Sequence, residues 1–66
     1  MNERQLDAIN EIIDFLLSKE FQNPRNVDWL VNDCNNKIRM LEYRRVDDKI
    51  INHFTEICEQ ECNKYI

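Results

Sequence analysis

Three thiols, one imidazole and a cluster of five cations are the side chains of this chain best equipped for chemistry. Cys58 and Cys62 stand four residues apart, one helical turn, a spacing that can chelate a metal from a single helix. Cys34 and His53 are the residues available to complete a ligand set. No paired Cys-x-x-Cys knuckle is present, however, and on a helix His53 points about 100° away from the cysteine side. Free cysteine is among the most buried residue types. Cys34, Cys58 and Cys62 are therefore expected as small apolar core residues, with a structural zinc site as the weaker alternative. No cofactor is expected.

The cations are Lys37, Arg39, Arg44, Arg45 and Lys49, with Glu42, Asp47 and Asp48 among them. Two guanidinium forks beside Tyr43 as a stacking platform could hold the phosphates and base of a small nucleotide. Ordinary surface charge, balanced by neighbouring acids and helix dipoles, accounts for the same residues and is the favoured reading. Catalysis has less support. Ser18 is the only serine, and the single histidine has no triad context. Glu61 falls near the centre of an apolar stripe, where desolvation would raise its pKa, although a frayed last turn would leave it in water. The chain is not expected to be an enzyme.

A different kind of chemistry, that of contact, is carried by Trp29, Asn36, Met40 and Tyr43. At helical spacing they form a second stripe on the side away from the core, with Arg39 at its rim. Trp, Tyr and Met are enriched at interface cores and binding hot spots. These five residues are the expected partner-binding set, and the partner is expected to be another protein, a second copy, or both.

The elements that must position these groups all read as helix. Among 66 residues there is no Gly and one Pro, Pro24. That removes most devices that need positive φ, such as primed hairpin turns and phosphate-cradling loops. A small all-α three-helix bundle, one domain over residues 1–66, is predicted with helices at about 3–20, 24–44 and 48–64. Asn2 caps the first, with Gln5 in the capping-box position. Leu6, Ile9, Ile12, Ile13, Leu16 and Leu17 share its apolar face, with Ala8 and Phe15 on the flank. That arc exceeds half the circumference, so this helix is expected to be central or pressed from two sides. Asn23 with Pro24 at the first helical position starts the second, or Asn26 if the turn is longer. Val27, Leu30, Val31, Cys34, Ile38 and Leu41 form its core stripe. Asp47 caps the third, which buries Ile50, Ile51, Phe54, Ile57, Cys58, Cys62 and Tyr65. A turn at Arg45-Val46-Asp47 separates the last two helices on phase alone, and one continuous helix is the alternative. The order resembles helix-turn-helix DNA-binding domains in architecture only, because the turn glycine and a basic recognition helix are missing.

Charge sets the limits on partners. Residues 1–22 carry two basic and five acidic groups, residues 23–46 five and three, and residues 47–66 two and five, for a net of −4. Acidic flanks disfavour nucleic acid, whose binding rests on phosphate neutralisation. No apolar run exceeds three residues, as in Phe15-Leu16-Leu17, far short of the roughly 20 residues that span a bilayer. The N-terminus lacks the basic and apolar regions of a signal peptide, and three cysteines without such a signal fit a reducing compartment, so a cytoplasmic location is expected. A chain this short buries only about 60% of its unfolded surface and gains from association. The expectation is a small self-associating regulator, adaptor or inhibitor. Its wealth of Asn, Ile, Lys and Glu fits an AT-rich genome such as a phage or virus.

Overall fold

The computed structural model describes residues 1–65. They form four helices rather than three: α1 over Glu3–Leu17, α2 over Lys19–Gln22, α3 over Val27–Tyr43 and α4 over Asp48–Asn63. No strand occurs among the described residues.

The predicted first helix breaks at Ser18. Its hydroxyl donates to the Phe15 carbonyl and accepts the Phe21 N–H at 3.4 Å, so one side chain closes α1 and opens α2. Phase explains the break. Phe21 lies six residues beyond Phe15, and an unbroken helix would carry it about 240° round the axis, away from the core. The bend instead buries Phe21 edge-on against Phe15, with ring centroids 5.3 Å apart. Asn23 is consumed in closing α2, through its N–H to the Lys19 carbonyl. Of the two cap candidates for α3, Asn26 therefore serves, accepting the Asp28 N–H at 2.8 Å, and Pro24 lies in the connection.

The turn between the second and third predicted helices is present, so one continuous helix is ruled out. It is a Schellman motif: Val46 N–H donates to the Leu41 carbonyl and Arg45 N–H to the Glu42 carbonyl, both at 3.0 Å. Val46 and Leu41 are both buried there. The left-handed residue such a cap requires is Arg45, at φ 56°. A chain without glycine thus still uses a positive φ, against the sequence expectation. Left-handed backbone costs a residue with a Cβ about 1–2 kcal/mol. Arg45→Gly is accordingly expected to stabilise the fold by about 1 kcal/mol, read as a higher urea midpoint at unchanged slope. Arg45→Val should lower the midpoint.

α3 is the middle element, packed against both α4 and α1. The breadth of the α1 arc does not make that helix central, but α1 is pressed from two sides, by α3 and by Phe54 of α4. α1 runs antiparallel to α3: Lys37 lies 3.9 Å from Glu11, and Arg4 stacks over the Tyr43 ring at 6.0 Å. At the same end Gln5 donates to the Arg45 carbonyl. The core joins Ala8, Ile12 and Phe15 of α1 to Leu30, Cys34 and Leu41 of α3 and to Phe54 and Cys58 of α4. Phe15 is its hinge, also meeting Phe54 edge-to-face at 6.2 Å. Two residues exchange roles relative to the sequence reading. Val31, expected in the core, is exposed, and Met40, expected on the outer stripe, packs half-buried against the core. α1 and α4 approach α3 from adjacent sides, and α1 reaches far enough round to cover the Lys37–Met40 side.

Candidate functional site

The wide apolar arc of α1 is only partly used. α3 takes its Ala8–Phe15 edge, which the sequence reading placed on the flank, because Ala8 has no side chain beyond Cβ and lets the two helices approach. The opposite edge is left over: Leu6 is 48% exposed, Ile13 46% and Leu17 73%. Beside it Ile12, Ile13 and Leu16 face Ile50, Phe54 and Ile57 of α4 across a furrow of about 400 Å³, with Lys49 and His53 at its rim. None of the chain's thirteen carboxylates lines this furrow. Asp7, Glu11 and Asp14 follow the helical repeat round to the other side of α1, where Glu11 and Asp14 border a separate hollow beside Asn36 and Lys37. Ridge and furrow thus form one face, apolar, low in charge and about the length of α1. The sequence stripe predicts Leu6, Ile13 and Leu17 as core, and the signal for a contact face lies in the same stripe, an arc too wide for one neighbour.

The sequence-predicted contact stripe on α3 is more scattered. Trp29, Asn36, Arg39 and Tyr43 are exposed, whereas Met40 is half-buried. Trp29 and Tyr43 are fourteen residues apart, about 21 Å along the helix. Asn36 lies between them and the Arg4 guanidinium covers part of the Tyr43 ring. Trp29 instead borders a separate hollow shared with Lys19, Arg25 and Asn26.

The five cations are not brought to one point. Lys37 sits beside Glu11 and over the Phe15 ring, and Arg44 donates to the Arg4 carbonyl. Arg39, two residues from Lys37, projects from the opposite side of α3. Arg45 and Lys49 are exposed on the turn and on α4.

The three thiols do meet, at the interface of α3 and α4, while His53 lies on the furrow side of α4. Among the described residues no group of three or more His, Cys, Asp or Glu side chains is arranged to hold a metal ion. Contact with the Cys58 thiol, followed by burial, pushes the Cys34 thiol far above its ordinary 9.0, and burial with Cys34 raises Cys62. A raised folded-state pKa means that the folded chain keeps protons the unfolded chain releases. Stability from this source is complete below pH 9 and is lost as pH rises beyond it. The expected loss is up to about 1.4 kcal/mol per pH unit for Cys34 alone. Urea midpoints at pH 7, 9 and 10 test this, with Cys34→Ala as the control that should flatten the decline.

The remaining candidates are occupied structurally. Ser18 Oγ caps two helices, and Glu61 pairs with Lys64 at 2.9 Å. No described helix is long and apolar enough to cross a membrane. Comparison with protein-family models, curated proteins and solved structures finds no match to this chain.

Proposed function

We propose that this chain is a non-enzymatic protein–protein interaction module, a small regulator or inhibitor, that meets its partner through the face shared by α1 and α4. The observation that carries the reading is the segregation of charge from apolar surface. Leu6, Ile13 and Leu17 stand in water beside a furrow no carboxylate lines, in a chain where one residue in three is charged. Interface cores show this same depletion of charge. Chemistry on a small substrate gains no comparable support, because the only serine caps helices and the Cys34 and Cys58 thiols are buried.

A photo-crosslinking residue at position 17, in the cells that make the protein, tests the assignment. The expected result is a covalent adduct with a polypeptide from position 17 and none from Asn52, an exposed position of α4 outside the furrow. No adduct from position 17 sinks the reading. Adducts from position 43 alone would move the docking surface to the exposed flank of α3.

A further inference from the structure

The face described above is both convex and concave. Its ridge is Leu6, Ile13 and Leu17, and its furrow lies beside that ridge on the same molecule. A surface that carries a shape and its complement side by side can meet itself across a two-fold axis, as an isologous dimer requires. Resting on the protein-interaction reading, we propose that the occupant of this face is a second copy of the chain, with the two α1 helices antiparallel and each ridge seated in the other copy's furrow.

Area supports this occupant. A compact monomer of 8.1 kDa is expected to expose about 4,500 Å². The chain exposes 5075 Å², an excess of about 600 Å². A standard protein interface removes about 800 Å² from each partner, so the surplus is of the size one such contact consumes. The shape agrees, since the Cα atoms fill a slab of 36 × 18 × 14 Å. A slab this thin has room for a further layer of helices.

Charge supports the orientation. α1 bears Glu3, Asp7, Glu11 and Asp14 against the single cation Arg4. The furrow rim bears Lys49 and His53. Asp7, Glu11 and Asp14 lie on the far side of each α1, so a second α1 entering the furrow buries none of them, and antiparallel packing sets the two helix dipoles in opposition. With the axis near the middle of α1, Leu6 of one copy lies level with Leu17 of the other and the two Ile13 side chains flank the axis. The −4 charge of each chain opposes association at long range, which 0.15 M salt screens over about 8 Å.

Sedimentation equilibrium of the full chain decides the matter. The expected mass is twice 8.1 kDa at micromolar concentration. The double variant Ile13→Asp/Leu17→Asp should sediment as one chain, with association weakened on the order of 100-fold or more and helical circular dichroism retained. Trp29→Ala should remain a dimer. A single-chain mass for the unsubstituted protein up to about 1 mM overturns the inference whatever the variants do, so it remains testable even if the double variant unfolds. So does a dimer that survives the double variant, or one that Trp29→Ala dissolves. The position-17 adduct separates this failure from that of the broader reading. An adduct with a second copy supports the dimer, and an adduct only with a different polypeptide overturns it while the interaction reading stands.

Discussion

Phe54→Ala is expected to unfold the chain at 25 °C. The ring is 2% exposed and meets Phe15 edge-to-face, in the core that α1, α3 and α4 share. Replacing a buried Phe by Ala costs about 3–5 kcal/mol, from lost transfer energy and from the cavity the surroundings only partly fill. Relief by collapse is small here, because Leu30 and Leu41 of the same core are themselves fully buried and Leu41 is held by the Schellman turn. A domain of 66 residues has a total stability of only about 3–10 kcal/mol. The loss is thus a large share of what holds the fold, and all of it over the lower part of that range. Far-ultraviolet circular dichroism reads it directly, and a native helical spectrum with an unchanged urea midpoint would refute it.

Phe21→Ala is the second large effect, with a different signature. Phe21 is the sole buried residue of a helix four residues long, and the break at Ser18 exists to deliver it to Phe15. The expected cost is about 3 kcal/mol, at the lower end for Phe→Ala because the site lies at the edge of the core and can partly close. With its anchor gone, the segment from Lys19 to Asn26 should open before the rest. Amide exchange there should accelerate by more than in α4, and limited proteolysis should cut there first. A double-mutant cycle with Phe15 should return about 0.5–1.5 kcal/mol of coupling for the aromatic pair. Uniform loss of protection across α1, α3 and α4 would instead make α2 an integral part of one cooperative unit.

These two rings also mark what the sequence could and could not disclose. Local chemistry was legible. Asn2 with Gln5 forms the expected capping box, Asp47 caps α4, and the turn after Arg44 appears where the apolar phase of α3 runs out. Each of those signals lies within a few residues of its effect. The break at Ser18 was written in the phase of Phe21, but no Gly or Pro marked it, and one aromatic out of phase is easily taken for a surface residue. Which edge of a wide apolar arc finds a neighbour is not a local property at all. It depended on Ala8 admitting α3 closely, which left Leu6, Ile13 and Leu17 outside a core they were expected to join. Val31 and Met40 exchanged burial for the same reason, since α1 docked on one shoulder of α3 rather than square to its stripe. Arg45 escaped notice because the left-handed position is favoured in glycine, yet the buried contact of Val46 with Leu41 tolerates another residue there.

Gln5 occupies the position where a capping box more often has glutamate, and its two ends explain the choice. Its Oε1 accepts the Asn2 N–H at 3.0 Å, as a carboxylate would, but its Nε2 donates to the Arg45 carbonyl at 2.8 Å, which a carboxylate cannot do. One amide therefore acts as a clasp between residues forty positions apart. The opening turn of the molecule and the bend between its two longest rods loosen together or not at all, so fraying at one becomes mechanical slack at the other.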